Sequence, residues 1–348
     1  MLQDSNMRSA GQWKVRMDTN AATAILHSEC TRLTAESLYS VCYTHCMKTI
    51  AVFFDNEEDD GYPLNEEYYR IAYYELAETI EKKGGRLIVV RGQSSYIGGN
   101  VFEHYWDITP DAFSRMNERV TPELIYNKGN FHGDPNAHVI NDPELDAICL
   151  DKRKTVTLFP KQSPLTLEVS NREQANAAIT KLGTTFAVAK PIDGKEGVGV
   201  FIGPKMEVAA SIPHYPYLLQ EFIDTSGGIP GITDGLHDLR MIHVNEEIVL
   251  AFIRIPAAGK FISNLAQGGT KQELRLEQLP KEALEISKEV EGELARFGTR
   301  VYSIDIGRDR SGVWKIIELN SQPGVTCRSE GPLSIYYQTR LAETLLSS

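Results

Sequence analysis

Hydrophobic and polar positions follow two different periods in the first half of this chain. Residues 48–55, KTIAVFFD, form an apolar run of β-branched and aromatic residues, which predicts a buried strand. The segment LNEEYYRIAYYELAETIEKKGG has apolar residues at helical spacing and ends at a glycine pair typical of a helix C-cap. RLIVVR and ELIYNKG predict two more strands. This strand–helix–strand order indicates an α/β domain with a parallel sheet over residues 47–140.

The second half of the chain has a pattern in which strands outnumber helices. DKRKTVTLF and NREQANAAITKLG predict short helices, and residues 281–298 and 333–346 predict longer ones. Strands are predicted in TTFAVAK, YLLQEFID, HDLRMIHV and EIVLAFIRI, of which the last two are spaced as antiparallel neighbours. We therefore expect this half to be α+β with mainly antiparallel sheets.

The segment 301–325, VYSIDIGRDRSGVWKIIELNSQPGV, predicts two strands joined by a polar turn, yet it carries acids where a buried strand should have none. Because side chains alternate along a strand, Glu318 and Asn320 share one face. If Asp305 on the neighbouring strand points the same way, three oxygen ligands converge, which suits Mg²⁺. An ordinary hairpin with a solvated polar face is the alternative, and we would prefer it for this hairpin alone.

Two further features favour a metal–nucleotide site. Gly194, Gly197 and Gly199 lie between two predicted strands, and glycines let the backbone approach an anion closely, although a mobile surface hairpin would also contain them. Four cations are bordered by apolar residues in this acidic chain: Lys152, Lys190, Arg240 and Arg254. Because burying an unpaired charge is costly, the four together indicate a site for a polyanion.

Composition narrows the class of protein. The 348 residues are 42% hydrophobic and 24% charged, as in globular proteins, and the net charge of -11 argues against a nucleic-acid partner. No apolar run reaches the ~20 residues that span a bilayer, so no membrane association is expected. The beginning of the chain does not match a signal peptide, so we expect a cytoplasmic protein.

The first 46 residues have no clear element pattern. Three of the five cysteines, Cys30, Cys42 and Cys46, lie there near His27 and His45. Their spacing matches no standard zinc finger, so we favour a poorly ordered extension over a zinc site. Met47 directly precedes the first strand and is a plausible alternative start. We expect removal of residues 1–46 to leave activity unchanged.

Six segments, in order, resemble motifs of the ATP-grasp ligases: DK, AVAKPIDGKEGVGV, LLQEFID, HDLR, FIRIPAAGKFISNLAQGG and IIELNSQPG. They look most like the glutathione-synthetase type and the ribosomal-protein glutamate ligases. The resemblance covers about 200 residues, from Asn141 to the end. It implies a Rossmann-like pre-ATP-grasp α/β domain at 47–140 and an α+β ATP-grasp fold at 141–348. Within that fold, a lid subdomain would span about 150–215 and a catalytic subdomain 216–348.

The resemblance also implies a role for each matching residue. Lys152 and Lys190 would hold the ATP phosphates beneath a lid at 193–199, and Asp238 would lie near them. The residues expected at the adenine are Gln220, Glu221, Phe222 and Ile223. The catalytic residues would be Arg240, Arg254 and Asn264. The ligands of Mg²⁺, with Mn²⁺ as an alternative, would be Asp305, Glu318 and Asn320. Arg328 would bind a substrate carboxylate.

The implied reaction is the ATP-dependent joining of a carboxylate to an amine through an acyl phosphate, with small amino acids or peptides as substrates. A kinase or a carboxylate–thiol ligase would keep the same nucleotide-binding half, and a non-catalytic nucleotide-binding protein is a third alternative. By the same resemblance we expect a homo-oligomer, either a dimer or a tetramer. The glycine-rich segment 225–235, TSGGIPGITDG, departs from the family pattern and is expected to act as a substrate cover.

Overall fold

The computed structural model describes residues 47–58, 61–193, 197–263 and 268–348. The first apolar run is strand β1 (Lys48–Phe54), at the centre of a six-stranded sheet. Within the described ranges, no helix is both long enough and apolar enough to cross a bilayer.

The sheet around β1 is parallel at its centre and antiparallel at one edge. Its other strands are β2 (Gly85–Arg91), β5 (Tyr105–Ile108), β6 (Phe113–Met116), β7 (Leu124–Asn127) and β8 (Val139–Ile140). The order is β6-β5-β2-β1-β7-β8, and β2, β1, β7 and β8 are mutually parallel, as the strand–helix–strand order predicts. Strands β5 and β6 are antiparallel additions that the sequence pattern does not predict. Helix α1 (Glu67–Glu81) packs beside β2, and a separate hairpin consists of β3 (Tyr96–Gly98) and β4 (Val101–Phe102).

Two short helices connect this sheet to the rest of the chain. Helix α2 (Pro143–Leu150) begins where the side chain of Asp142 accepts a hydrogen bond from the Glu144 amide at 2.7 Å. Helix α3 (Lys152–Leu158) begins in the same way, with the Asp151 side chain accepting from the Arg153 amide at 3.0 Å. Such caps satisfy the first free amide groups of a helix.

A four-stranded antiparallel sheet follows. Its strands are β9 (Thr166–Val169), β10 (Phe186–Lys190), β11 (Phe201–Pro204) and β12 (Tyr217–Glu221), in the order β11-β10-β12-β9. Helices α4 (Arg172–Lys181) and α5 (Lys205–Ala210) pack on one face through small and branched apolar residues. The other face includes Phe186 and Lys190, because side chains alternate along β10.

The last sheet contains five antiparallel strands. They are β13 (Asp238–Val244), β14 (Glu247–Ile255), β15 (Thr270–Leu274), β16 (Val301–Arg308) and β17 (Trp314–Asn320), in the order β15-β14-β13-β16-β17. Helix α6 (Lys281–Leu294) covers one face together with α2, and we call this the helical face. Helix α7 (Pro332–Ser347) lies on the opposite side.

The face opposite the helical face is polar at one end and apolar at the other. Its polar end, which we call the charged face, carries Asp238, Arg240, Arg254, Asp305 and Glu318. Its apolar end belongs to one buried cluster with α7, α1 and the six-stranded sheet. The α/β sheet and the five-stranded sheet therefore share a hydrophobic core, and the compact unit spans Lys48–Ser348.

The glycine-rich segment 225–235 is a structured loop. It starts at Thr225, whose γ-methyl lies beside Gly307, and continues to Ile229, which is buried in the cluster of the helical face. Arg308 donates a hydrogen bond to the Gly228 carbonyl at 3.4 Å. The loop thus runs onto the helical face at Ile229, and its expected role as a substrate cover stays a prediction.

Candidate active site

The charged face arises from the register of four strands. Asp305 lies opposite Arg240 on one side and opposite Glu318 on the other. Arg254 lies opposite Asp238 in the next row. Residues directly opposite in antiparallel strands project from the same face with Cβ atoms about 5 Å apart. The expectation that Asp305 and Glu318 point the same way therefore agrees with the register.

Asp305 is bound by two arginines. Arg240 donates from Nε to one carboxylate oxygen at 2.6 Å and from Nη2 to the other at 2.5 Å. Arg254 donates to Asp305 at 2.6 Å and to both oxygens of Asp238 at 2.6 and 3.0 Å. Two guanidinium groups and two carboxylates thus form one connected network, and Asp305 is only 1% exposed.

The two carboxylates of this network have opposite pKa shifts. Burial raises the pKa of Asp238, and the nearby Asp305 adds to that effect against the opposing charge of Arg254. Burial also acts to raise the pKa of Asp305, but Arg240 and Arg254 outweigh it and hold that pKa below its usual value. Asp305 is accordingly the ionised centre of the network.

The two lysines predicted to bind phosphate lie close together. Lys152, Lys190 and Glu318 line one narrow cavity with Gln220, and the Lys152 Nζ is 3.6 Å from Glu318. Burial lowers the pKa of Lys190 to about 8; Glu318 opposes that shift and Lys152 reinforces it. Lys152 and Lys190 thus bring two buried ammonium groups to one cavity, an arrangement that suits the oxygens of a polyphosphate.

Asp305, Glu318 and Asn320 match Mg²⁺ in donor type. Two carboxylates and an amide on one face of a hairpin are hard oxygen donors, and Mg²⁺ takes few of these from protein because phosphates and water complete its shell. Among the described residues no group of three or more His, Cys, Asp or Glu gathers as a metal site. The Asn320 amide nitrogen is buried without a hydrogen-bond partner. Asp305, Glu318 and Asn320 therefore suit a cation that a substrate also coordinates, rather than one bound by protein ligands alone.

The predicted adenine-binding residues lie at the end of β12 and directly after it. The Gln220 side chain donates to Thr166 Oγ1 at 2.6 Å, and Glu221 accepts from the Gly183 amide at 2.7 Å. Both side chains therefore have partners within the fold. Phe222 lies within 5.9 Å of the Phe186 ring and 5.5 Å of the Phe261 ring. Ile223 packs beside Gly307 on the charged-face side of β16.

The predicted lid is described in part. Gly197 and Gly199 have φ angles of +73° and +72°, which favour glycine. The Tyr217 hydroxyl donates to the Gly199 carbonyl at 3.1 Å, and a Cβ on Gly199 would lie 2.9 Å from that hydroxyl. Gly194 and Asn264 lie outside the described residues. So do the cysteines and histidines of the alternative zinc site, whereas Cys149 and Cys327 are buried free thiols.

Arg328, predicted to bind a substrate carboxylate, has carboxylate partners of its own on α1. It donates to Glu78 at 2.6 Å and to the Glu75 carbonyl at 2.9 Å, and its amide donates to the Glu75 carboxylate at 2.6 Å. The structure therefore does not place Arg328 with the charged network of Asp305. It fastens the turn after β17 to α1.

The charged face also carries residues that the sequence analysis missed. Lys271 on β15 lies opposite Arg254, and Glu273 lies opposite Phe252 in the row of Arg240 and Asp305. The only sequence signal was a Lys and a Glu two positions apart in the polar strand TKQEL, which resembles a solvated segment. Their place next to Arg254 depends on strand pairing that this short polar pattern does not predict.

Comparison with known proteins identifies the family. Residues 150–345 match the model of the RimK-like ATP-grasp domain. A probable alpha-L-glutamate ligase of Trichodesmium erythraeum (strain IMS101) is 28% identical over 187 residues, which cover 50% of this chain and 56% of that protein. The chain thus matches little more than half the length of this relative. A probable alpha-L-glutamate ligase of Halorhodospira halophila (strain DSM 244 / SL1) is 25% identical over 270 residues, which cover 72% of this chain and 83% of that protein.

Solved structures agree on the fold. The VanG D-Ala:D-Ser ligase from Enterococcus faecalis aligns with a TM-score of 0.61 at 13% identity, over 86% of this chain and 99% of that one. The expected ATP-grasp fold is thereby confirmed, while the comparisons do not specifically identify the first sheet as Rossmann-like. Because the family model covers more than half of the 348 residues, the chain belongs to the RimK-like ATP-grasp family.

Proposed function

We propose that this protein is an ATP- and Mg²⁺-dependent ligase that joins a carboxylate to an amine through an acyl phosphate. The observation that carries the proposal is the continuity of the charged face with the lysine cavity. Glu318 lies opposite Asp305 and lines the cavity with Lys152 and Lys190. The lysine cavity, which would bind phosphate, and the arginine network thus meet at the carboxylates of Asp305 and Glu318. The relatives named alpha-L-glutamate ligases support an amino acid or peptide as a substrate.

The chemistry has two steps. A carboxylate oxygen of the substrate attacks the γ-phosphorus of ATP, the bond to the β–γ bridging oxygen breaks, and ADP leaves. The amine then attacks the acyl carbon, the carbon–oxygen bond to phosphate breaks, and the amine gives up a proton. Neither step requires a protein nucleophile, so positioning and charge stabilisation supply the catalysis.

The roles proposed for the residues follow from their places. Lys152 and Lys190 bind phosphate oxygens, and Arg254 with Arg240 stabilises negative charge near the transferred group. The 193–199 turn excludes water from the acyl phosphate, and the backbone of 220–223 binds adenine. Asn264, which comes between β14 and β15 in the sequence, remains a proposed partner of Arg254.

Asp305, Glu318 and Asn320 would hold Mg²⁺, which supplies charge neutralisation between the phosphates when it is bound. The Asp305 oxygen that accepts from Arg240 Nε has a second lone pair, which would be the one offered to the cation. Glu318 is the more accessible of the two carboxylates, because its side chain is 30% exposed. We propose the pre-ATP-grasp role for the six-stranded sheet and a cytoplasmic location for the protein.

The test is phosphate release from ATP and Mg²⁺ with a panel of amino acids and dipeptides. We expect release to require a carboxylic acid and an amine together. Release with an acid or alcohol alone would favour a kinase, release that depends on a thiol would favour the thiol ligase, and no turnover with any pair would favour a binding protein.

One matched pair of variants tests the site itself. Glu318→Gln should lower kcat by at least ~100-fold, because it removes a charge beside the phosphate-binding lysines. Glu285→Gln is the control, since Glu285 also pairs with a lysine at 3.6 Å but lies on α6 with a 62% exposed side chain. Equal activity of the two variants would contradict the assignment of Glu318.

A further inference from the structure

A second cluster of charged side chains borders the proposed site at β15. Lys271 forms ion pairs with Glu330, in the turn before α7, and with Glu273 at 4.0 Å. Tyr68 of α1 donates its hydroxyl to the same Glu330 carboxylate. We call Lys271, Glu273, Glu330 and Tyr68 the β15 cluster.

The β15 cluster is on the charged face. Lys271 is the cross-strand partner of Arg254, which itself binds Asp305. Its ammonium lies 5.5 Å from the centre of the Phe252 ring, and Phe252 lies opposite Arg240. Lys271 is therefore one strand from Arg254 and two strands from Arg240, a separation that a small substrate spans.

Lys271 is also more accessible than Arg254, its cross-strand neighbour. Both guanidinium groups of Arg240 and Arg254 already bind carboxylates in a largely buried network, and Arg328 binds two acids of α1. The Lys271 side chain is 23% exposed, against 9% for Arg254.

Glu330 shows what a carboxylate at this position would contact. One of its oxygens accepts from the Tyr68 hydroxyl and the other from the Lys271 ammonium. Glu330 is thus a carboxylate held by one hydroxyl donor and one ammonium donor. A substrate carboxylate that displaced it would keep the same two donors.

Glu273 is also an acceptor for a positive charge, and its Oε1 lies 4.0 Å from the Lys271 ammonium. Glu273 has one buried carboxylate oxygen with no hydrogen-bond partner. Burial raises the pKa of Glu273, and Glu330 adds to that effect while Lys271 opposes it. An ammonium group beside Glu273 would stabilise its ionised form. It would donate a hydrogen bond to the oxygen that lacks one, and its charge would offset the repulsion from Glu330.

We propose that Lys271 and Glu273 bind the carboxylate and the ammonium of an amino-acid substrate, and that Glu330 holds the carboxylate position in its absence. The proposal rests on the proposed function and specifies which residues select the substrate. Lys271 and Glu273 contact that substrate directly, whereas Glu330 acts through Lys271 as a positioning residue.

The probe is L-glutamate, titrated calorimetrically into the full chain with Mg²⁺ and a non-hydrolysable ATP analogue. Lys271→Met should weaken L-glutamate binding by at least tenfold, and Lys271→Arg should restore most of it. Lys281→Met is the matched control, because Lys281 is an exposed lysine on α6 with a glutamate partner. Binding of the ATP analogue should be the same in all four proteins, which shows that the fold is intact.

Two further titrations separate recognition from mere structural support. Glu330→Gln should bind L-glutamate several-fold more tightly than the wild type, since an internal competitor for Lys271 is removed. Glu273→Gln should lose most of the preference for L-glutamate over N-acetyl-L-glutamate, which has no ammonium. A structural role alone would make both variants bind more weakly and leave the preference unchanged.

Each result of these titrations either supports or overturns the proposed roles of Lys271 and Glu273. Unchanged L-glutamate binding in Lys271→Met, or no L-glutamate binding by the wild type, would overturn the proposal. Failure of the proposed function would look different: L-glutamate would bind through Lys271, yet phosphate release would not depend on an acid and an amine together.

Discussion

Lys190 shows how one residue links folding to ligand binding. It ends a strand and is only 7% exposed, with Lys152 as a neighbour in the same cavity. Its pKa of about 8 means that the folded protein holds its proton less tightly than the unfolded chain, where the value is 10.5. The folded state without nucleotide is thus weakened by keeping this lysine charged at neutral pH.

The sign of this effect gives a pH prediction. Below pH 8 Lys190 is protonated in both the folded and the unfolded state, and the full loss of folded-state stability persists. Between pH 8 and 10.5 the folded state loses the proton first, so the free energy of unfolding should rise with pH. Relative to Lys190→Met, the wild type should gain about 3 kcal/mol over that range. Urea unfolding at several pH values measures the gain, and a pH-independent difference would contradict it.

At the scale of single residues, the sequence indicated which residues are candidates for the site, but it did not indicate which residues they contact. Lys190 and Arg254 stand out because apolar residues border them, and burial of such charges implies a partner or a ligand. That Asp305 would bind both Arg240 and Arg254 required the register of three strands, which no local pattern contains. Arg328 was assigned by resemblance, and its contacts with α1 join residues some 250 positions apart.

At the scale of elements, the loop 225–235 depends on one glycine. Gly228 has a φ angle of +68°, and a Cβ there would lie 2.3 Å from the Thr233 carbonyl oxygen. That carbonyl accepts the Ile229 amide at 2.8 Å, which closes the loop. Gly231 has a similar φ angle of +76°, but a Cβ there would meet nothing within 4 Å.

This contrast predicts unequal losses of stability. Gly231→Ala should lower the free energy of unfolding by about 1 kcal/mol, the usual cost of a left-handed conformation. Gly228→Ala should lower it by about 3 kcal/mol, because the methyl group also forces the backbone apart. Urea unfolding of both variants is the measurement, and equal losses would show that the loop does not close through this contact.

Elements with strong apolar periods were predicted from the sequence, and short polar ones were not. Strands β1, β2, β13 and β14 are long apolar runs, and each was predicted near its observed position. Strand β15 has a mostly polar sequence because it lies at a sheet edge, where only every second side chain is shielded from solvent. The sequence pattern did not single out Lys271 and Glu273 on this strand for the same reason.

At the scale of the whole molecule, one core joins the first sheet to the last helix. Leu341 of α7 is fully buried in a cluster that includes Ile50 of β1, Leu76 of α1 and Leu250 of β14. The sequence suggested separate domains at 47–140 and 141–348, because apolar patterning does not show which faces pack together. The shared core ties the α/β sheet to the sheet that carries Asp305.

A core mutation should therefore destabilise both sheets at once. Leu341→Ala should lower the free energy of unfolding by about 2–5 kcal/mol, through lost burial and a residual cavity. Calorimetry should show one transition for the α/β and five-stranded sheets that moves as a whole to lower temperature. A first sheet that melts on its own, at an unchanged temperature, would contradict the shared core.

The two ends of the compact unit meet at this core. The Lys48 ammonium donates to the carbonyls of Leu345 and Leu346 at 3.1 and 3.0 Å, and to that of Ser348. Residues 48–348 are thus suited to circular permutation, with a short linker from Ser348 to Lys48 and new termini at Gly231. In such a protein the hairpin of Asp305 and Glu318 would precede β1 in the chain while keeping its neighbours in space.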